Sequence, residues 1–366
     1  MIRFLASVSG PDEALVALRG GADIIDLKNP ADGPLGAVSP ALIEATIAAV
    51  GGRRPVSAVA GNCPMEPEAV RAAIEPRLEA DFVKIGLFPA GIAASEAVVE
   101  AAADFSERSL LIAVLFADQD PDFAILDKLA QCGFSGVMLD TMEKGAGGLT
   151  RHLSSARLQD FVARGRERNL TVGLAGSLEV PDIPRLGPLA PDFLGFRGAL
   201  TSGGRDAMLD ERRVAEIAAL IAGALQWDAA EQSASAATGA SSSVKTVIGD
   251  RVFVKDLVVP LEIGAYAHEY GRRQDIRFSV EAIVEPIPAS AETMADVYSY
   301  DVVIDAINAL AERGHTVLVE ELATRLAGTL LKDRRVRQVT VRVEKLGLGP
   351  GAVGVEIVRR AESEMQ

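Results

Sequence analysis

Short apolar runs alternate with longer amphipathic segments from Phe4 to about Leu225. The runs are rich in Val, Ile, Leu and Phe and are bounded by polar or glycine-containing stretches, which is typical of buried strands. They predict strands over residues 4–8, 24–27, 56–60, 82–87, 110–116, 136–140, 171–175 and 193–196. The amphipathic, alanine-rich segments between them predict helices over residues 40–50, 67–74, 93–105, 123–131, 158–169 and 211–225.

Eight strand–helix units over residues 1–226 predict a parallel (β/α)8 TIM barrel in the α/β class. A doubly wound sheet is the structural alternative. The barrel is favoured because the strand count reaches eight and no glycine-rich dinucleotide fingerprint follows the first strand.

A second unit follows a change in composition. Residues 227–243 are dominated by Ala, Ser and Gly, which predicts a flexible linker with too little apolar side chain to pack. Beyond it, residues 247–259, 274–284, 338–345 and 353–359 are strand-like, and residues 300–313 and 316–331 are helical. The order ββααββ predicts a small α+β domain with an antiparallel sheet over residues 244–366.

Charged side chains mark the ends of three predicted barrel strands. Asp26 and Lys28 end the second strand region, Lys84 lies inside the fourth apolar run, and Asp140 ends the sixth, with Lys144 shortly after it. Alternate residues of a strand share a face, so Asp26 and Lys28 are expected to point the same way. Lysine is rarely buried without a partner, so this set indicates a reaction centre at the C-terminal mouth of the barrel.

Clustered and buried ammonium groups lower one another's pKa, so one lysine of such a set can act as a neutral nucleophile near pH 7. That chemistry suits a Schiff base with a carbonyl substrate, and the aspartates could then move protons. Structural ion pairing of the same residues is the competing interpretation.

The loops after the seventh and eighth strands predict a phosphate site. Gly176 and Ser177 follow the seventh strand, and Arg197 and Gly198 follow the eighth, where barrels often bind phosphate through backbone amides. Arg197 would add a fork-shaped positive charge. The barrel region holds one histidine, His152, which is too few for a histidine-rich metal site, so we expect metal-free chemistry without a cofactor.

Composition limits the possible partners. The net charge of −14 and pI near 4.8 argue against a nucleic-acid surface, although a local lysine cluster can still hold a small anionic substrate. No long uninterrupted apolar run predicts a membrane span, and the first residues do not resemble a signal peptide, so we expect a cytoplasmic protein. Cys63 and Cys132 form no CxxC pair, which makes a disulfide framework or a zinc site an unfavoured interpretation.

Residues 23–30, 33–36, 82–87 and 138–149 together resemble the (5-formylfuran-3-yl)methyl phosphate synthase family, also called 4-(hydroxymethyl)-2-furancarboxaldehyde-phosphate synthase. The resemblance covers residues 1 to about 225. It implies a TIM barrel that joins two molecules of glyceraldehyde 3-phosphate in methanofuran biosynthesis, by a class I aldolase-like lyase reaction. It also implies that Lys28 is the Schiff-base lysine and that Asp26, Lys84, Asp140 and Lys144 are the acid–base and phosphate-binding set.

The second unit carries four notable residues, Glu269, Tyr300, Glu320 and Lys345. A carboxylate in an apolar setting can accept two parallel N–H bonds from a guanidine-like or pterin edge, and Lys345 and Tyr300 could move protons. Taken singly, each is expected to be structural.

Residues 263–269, Gln274, and residues 298–300, 318–320 and 343–345 together resemble dihydroneopterin aldolase. This resemblance implies a tunnelling fold that forms symmetric rings, with a pterin bound between subunits and cleaved to 6-hydroxymethyl-dihydropterin and glycolaldehyde. It implies that Glu320 anchors the pterin, that Lys345 and Tyr300 handle protons, and that Glu269 assists. The chain departs from many relatives by carrying Leu346, rather than proline, after Lys345.

The two resemblances together predict a bifunctional enzyme that supplies a furan and a pterin, the parts of methanofuran and tetrahydromethanopterin used in one-carbon metabolism. Two alternatives remain. The second domain could be a pterin-binding or oligomerisation scaffold without catalysis, or the barrel could be a different Schiff-base lyase acting on a sugar phosphate.

Overall fold

The computed structural model describes residues 2–143, 145–234, 249–286, 297–349 and 351–361. Lys144 lies outside these residues. The chain divides into two compact units, Met1–Thr238 and Gly239–Gln366.

The first unit is a closed barrel of eight strands, each paired in parallel with its neighbours, and the last strand pairs with the first. The predicted TIM barrel is therefore confirmed. Its strands are β1 (Arg3–Val8), β2 (Ile24–Leu27), β3 (Val56–Val59), β4 (Phe82–Gly86), β5 (Leu110–Phe116), β6 (Gly136–Asp140), β7 (Thr171–Leu174) and β8 (Phe193–Phe196).

Nine helices accompany these strands in the described part of the unit. They are α1 (Pro11–Arg19), α2 (Pro40–Val50), α3 (Pro67–Ile74), α4 (Ile92–Ala102), α5 (Ile125–Gln131), α6 (Leu149–His152), α7 (Ser155–Glu167), α8 (Asp182–Leu186) and α9 (Glu211–Ala234).

Local sequence signals explain the well-predicted helix α2. Ser39 caps it by accepting a hydrogen bond from the Leu42 N–H at 3.3 Å, and Pro40 occupies the first turn, where its missing N–H costs nothing. Gly51 ends the helix in the left-handed region with φ of 59°.

Two hydrophobic cores support the strands that carry the charged residues Asp26, Lys84 and Asp140. One core fills the space between strands and helices, and the other fills the inside of the barrel. The interior core includes Ile24, Phe82 and Met138, from β2, β4 and β6. Because alternate strand residues share a face, Asp26, Lys84 and Asp140 also point into the barrel, each two residues closer to the C-terminal mouth.

Helix α9 differs from the predicted boundary. It continues to Ala234, so residues 227–234 are helical where we expected the start of a flexible linker. Ala, Glu and Gln are strong helix formers, and this part of the sequence is rich in them. The rest of the predicted linker, residues 235–243, lies outside the described residues.

The second unit is a four-stranded antiparallel sheet with two helices, which confirms the predicted α+β class. Its elements are β9 (Asp250–Glu262), β10 (Arg273–Val284), α10 (Tyr300–Ala311), α11 (Val319–Leu330), β11 (Val336–Lys345) and β12 (Val353–Arg360). The sheet order is β12-β11-β10-β9. One sheet face packs on the helices through buried residues such as Phe278, Val341, Ile307 and Leu326.

Candidate active sites

The deepest charged pair inside the barrel joins β2 to β4. Lys84 Nζ lies 2.6 Å from Asp26 Oδ1, and the two residues are 3% and 0% exposed. Ser7, on β1, donates its hydroxyl to Asp26 Oδ2 at 3.1 Å. One carboxylate oxygen therefore contacts the ammonium as an ion pair, and the other accepts a hydrogen bond from a hydroxyl.

Burial lowers the pKa of the Lys84 ammonium, Asp26 opposes this effect, and Lys28 adds to it. Met138, on β6, brings its sulfur to 3.6 Å from Lys84 Nζ. Lys84 therefore lies between the Asp26 carboxylate, which favours its charged form, and an apolar wall, which lowers its pKa.

A second, looser pair lies one layer closer to the mouth. Lys28 Nζ is 3.7 Å from Asp140 Oδ2, and the two residues are 8% and 3% exposed. This separation is longer than a hydrogen bond. Asp140 Oδ1 also accepts the N–H of Thr141 at 2.7 Å. The structure therefore brings together Asp26, Lys28, Lys84 and Asp140, four of the five residues in the expected set.

The loop after β7 packs against the end of β6. Gly176 has φ of +106°, and a Cβ there would lie 2.9 Å from Thr141 Cγ2 and 3.0 Å from the Thr141 N. Ser177 follows with φ of +50°. Gly198 begins a one-turn 3-10 helix, Gly198–Leu200, directly after β8. These loops lie at the C-terminal ends of β7 and β8, as predicted from the sequence.

The prediction that Arg197 offers its guanidinium to phosphate is wrong, because all five of its N–H donors already have acceptors. Nη1 and Nη2 bond Glu13 at 2.5 and 3.2 Å, Nη1 also bonds the Ser7 carbonyl, and Nε and Nη2 bond the carbonyls of Arg205 and Ala207. Both charged side chains are buried. Arg197 is therefore a structural tie between the loop after β8, helix α1 and the end of β1.

Sequence reasoning did not identify Glu13. This residue is 2% exposed, and besides Arg197 it accepts hydrogen bonds from the Ser9 N–H, the Ser9 hydroxyl and the Leu209 N–H. The only sequence signal was its position in the first turn of the helix that follows β1.

Glu269 and Lys345 form the buried charged pair of the second unit. Lys345 Nζ lies 2.5 Å from Glu269 Oε1, and the other carboxylate oxygen accepts the Tyr266 N–H at 3.1 Å. Gln274 donates to Glu269 Oε1 at 3.1 Å. Burial would raise the pKa of Glu269, but the hydrogen bonds from Lys345, Tyr266 and Gln274 hold it below its usual value.

Tyr300 and Glu320 are not part of this pair. Tyr300 is 57% exposed in the first turn of α10, after the cap residue Ser299, and Glu320 is exposed in the first turn of α11. Within one chain, the structure therefore joins two of the four residues that sequence reasoning grouped in this unit.

Two features are absent from the described residues. No group of three or more His, Cys, Asp or Glu side chains in the described part of the chain is arranged to hold a metal ion. No helix within the described ranges has the length and apolar character needed to cross a membrane.

Residues 4–218, more than half of the chain, match the family model of 4-HFC-P synthase. The chain belongs to the 4-HFC-P synthase family. Within this family, it is 46% identical over 215 residues to a Methylorubrum extorquens protein provisionally named (5-formylfuran-3-yl)methyl phosphate synthase, covering 58% of this chain and 89% of the relative. A (5-formylfuran-3-yl)methyl phosphate synthase of Methanosarcina mazei is 30% identical over 230 residues, covering 60% of this chain and 98% of the relative.

This member of the 4-HFC-P synthase family carries a second enzyme-family match. Residues 252–358 match the dihydroneopterin aldolase model. A solved E. coli dihydroneopterin aldolase in complex with neopterin is 29% identical, covers 30% of this chain and 98% of its own, and has a TM-score of 0.29.

Proposed function

We propose that the barrel is a lyase of methanofuran biosynthesis that condenses two molecules of glyceraldehyde 3-phosphate into (5-formylfuran-3-yl)methyl phosphate. The supporting observation is the pair of lysine–aspartate ion pairs inside the barrel mouth, at 2.6 and 3.7 Å. Membership of the 4-HFC-P synthase family supports this product. Atom balance requires that one phosphate and two water molecules leave as the furan forms.

Lys28 is the lysine that we assign to the imine. It is the more exposed of the two lysines and lies one layer closer to the mouth, and its separation from Asp140 leaves room for an incoming carbonyl. Its neutral amine would attack the substrate aldehyde, and water would leave as the C=N bond forms. Asp140 would then take and return protons at the adjacent carbon.

Asp26 and Lys84 have a supporting role in this proposal. Their short separation and burial suit a fixed ion pair, which would hold an ammonium and a carboxylate in defined positions below Lys28. Burial lowers the pKa of the Lys84 ammonium, which makes it a better proton donor than an exposed lysine. Lys144 remains a proposed member of the set by family resemblance alone, and the loop residues Gly176, Ser177 and Gly198 remain proposed phosphate contacts.

The test is to incubate the intact protein with glyceraldehyde 3-phosphate, with and without borohydride, and to measure furan absorbance, phosphate release and the mass of the trapped peptide. We expect a furan product and a reduced adduct on Lys28. Lys28→Met should lose the adduct, whereas the double variant Asp26→Asn/Lys84→Met, which leaves no stranded charge, should keep Lys28 available for trapping.

The outcomes separate the alternatives. An adduct on Lys84 would overturn the assignment of Lys28, and an adduct without a near-ultraviolet furan band would favour a different sugar-phosphate lyase. If neither a furan product nor a lysine adduct forms, the proposed barrel function is contradicted.

For the second unit we propose dihydroneopterin aldolase-like cleavage of a pterin to 6-hydroxymethyl-dihydropterin and glycolaldehyde. The buried Glu269–Lys345 pair supports proton transfer by Lys345, with Glu269 holding the ammonium. The exposed Tyr300 and Glu320 are compatible with a site completed by a second copy of the chain in a homo-oligomer, where Glu320 would bind the pterin edge.

A scaffold without catalysis is the second candidate for this unit, and Lys345→Ala distinguishes the two. We expect the variant to lose pterin cleavage while the furan reaction of the barrel continues. Lys332→Ala, which removes an exposed lysine from the same unit, is the matched control. Equal rates of cleavage in both variants, or no cleavage by the wild type, would favour the scaffold.

A further inference from the structure

Arg197 has no N–H donor left for a phosphate in the loop after β8. Its guanidinium donors already bond Glu13 and backbone carbonyls. The same loop carries a second arginine, Arg205, to which sequence analysis assigned no role. Unlike Arg197, Arg205 makes a single, long side-chain hydrogen bond to the described residues.

The loop that carries Arg205 is held in one shape by its own hydrogen bonds. Thr201 and Leu209 form an antiparallel bridge, the Asp210 N–H bonds the Leu200 carbonyl at 2.8 Å, and the Thr201 hydroxyl bonds the Gly204 carbonyl at 2.6 Å. This closed hairpin fixes the path of the backbone around Arg205.

Arg197 secures the centre of the hairpin. Its Nε donates to the Arg205 carbonyl at 2.9 Å, and its Nη2 donates to the Ala207 carbonyl at 3.0 Å. Glu13 in turn holds Arg197 and accepts the Leu209 N–H at 3.3 Å. The buried Glu13–Arg197 pair therefore fixes the backbone at Arg205 and on its C-terminal side.

The side chain of Arg205 reaches the loop after β2. It is half-buried; burial lowers the pKa of its guanidinium, and the carboxylates of Asp140, at the end of β6, and of the adjacent Asp206 oppose this effect. Within the described residues, its one hydrogen bond is a long contact of 3.5 Å from Nη2 to the Gly33 carbonyl, in the loop after β2. A guanidinium has five N–H donors in a fixed fork that matches phosphate oxygens, so most of this binding capacity is unused.

We propose that Arg205 binds a phosphate group of the substrate at the barrel mouth, and that the Glu13–Arg197 pair positions it. The ligand class is a small phosphomonoester, so the inference rests on the proposed sugar-phosphate substrate. Arg205 lies on the hairpin directly after the Gly198 turn, so its fork can close on a phosphate that meets the backbone amides of that turn.

The test uses the full-length protein and sn-glycerol 3-phosphate, a phosphomonoester that has no carbonyl and cannot form an imine. Calorimetry measures its binding to the wild type, Arg205→Ala, Arg205→Lys and Arg212→Ala. Arg212, exposed at the start of α9, gives the matched loss of one positive charge near the same loop. Steady-state kinetics with glyceraldehyde 3-phosphate give kcat and KM for the same proteins.

We expect Arg205→Ala to bind glycerol 3-phosphate about 10- to 100-fold more weakly, as the loss of a charged hydrogen-bonding group implies. KM should rise by a similar factor with a smaller change in kcat, and Arg205→Lys should recover part of the binding. Arg212→Ala should behave as the wild type. Unchanged glycerol 3-phosphate affinity in Arg205→Ala would overturn the assignment. Arg205 would then have only a structural contact with the loop that contains Gly33.

The binding arm separates this inference from the proposed reaction. If the wild type makes no furan but binds glycerol 3-phosphate through Arg205, the reaction is wrong and the phosphate site stands. If Arg205→Ala forms furan with the wild-type KM and binds glycerol 3-phosphate as tightly as the wild type, the reaction stands and the phosphate site is wrong. If the wild type fails to bind glycerol 3-phosphate at all, the phosphate site is also wrong.

Discussion

Lys84 Nζ lies 2.6 Å from Asp26 Oδ1 in the closed interior of the barrel, whereas Lys28 Nζ lies 3.7 Å from Asp140 Oδ2. The two pairs use the same residue types but differ in burial and contact. The deeper pair has a short contact and almost no exposure, so it is costly to disturb. The upper pair has a longer separation, which leaves the space that the proposed reaction at Lys28 requires.

The energetic coupling between Asp26 and Lys84 can be measured by removing one of the two charges and then both. Asp26→Asn leaves the Lys84 ammonium without a carboxylate, so we expect the barrel to lose about 3–5 kcal/mol of stability. Adding Lys84→Met to Asp26→Asn removes the stranded charge and should restore most of that loss. Urea unfolding, followed by a barrel-specific probe in the intact chain, measures both effects.

The control for this pair is Asp104→Asn, which breaks a contact with Arg71 at the surface. Exposed ion pairs contribute about 0–1 kcal/mol, so this variant should unfold close to the wild type. Equal losses in Asp26→Asn and Asp104→Asn would contradict the buried-pair interpretation.

The Glu13–Arg197 tie makes a second prediction. Glu13→Gln leaves a buried guanidinium with a neutral partner and loosens the hairpin that carries Arg205, so we expect a loss of about 3–5 kcal/mol. If the assignment of Arg205 is right, KM for glyceraldehyde 3-phosphate should also rise. Denaturant unfolding and steady-state kinetics measure the two effects.

Glu211→Gln is the matched control for Glu13→Gln, because Glu211 pairs with Arg19 at 2.8 Å with both side chains about half exposed. We expect a change of less than about 1 kcal/mol and no change in KM. A Glu13→Gln protein as stable as this control would show that Arg197 does not need its carboxylate.

The barrel and the centre of its site could be predicted because local patterns determine them. Buried parallel strands appear as short apolar runs, and the two-residue period places Asp26 and Lys28 on one face. The role of Arg197 could not be predicted, because it depends on Glu13, 184 residues away in sequence. The same limit applies to Tyr300 and Glu320, since a family pattern names residues but does not say which of them meet within one chain.

The lowered pKa of Glu269 predicts a pH dependence in the second unit. A carboxyl group with a lower pKa in the folded state stabilises the fold above its unfolded pKa, about 4.3, and this contribution is lost as pH falls through the folded value. We therefore expect Glu269→Gln to be less stable than the wild type at pH 7, with the difference shrinking as the solution is acidified below about pH 4. Unfolding of both proteins across this range, followed by a probe in the second unit, checks the sign, and a difference that grew toward acid pH would contradict it.

Gly264 is the backbone element that makes room for the Glu269–Lys345 pair. Its φ is +144°, and a Cβ there would lie 2.0 Å from the Glu269 carboxyl carbon. Gly264→Ala should therefore combine backbone strain, about 1–3 kcal/mol, with displacement of the carboxylate from Lys345. Gly271→Ala is the matched control, because Gly271 has φ of +70° and open space around a Cβ, so only the backbone strain applies. We expect Gly264→Ala to be the less stable of the two in thermal unfolding of the second unit, with a smaller effect of Glu269→Gln in its background. Equal stability of the two alanine variants would show that the Glu269 carboxylate can move aside. The absence of a side chain at residue 264 would then not be required for the Glu269–Lys345 pair.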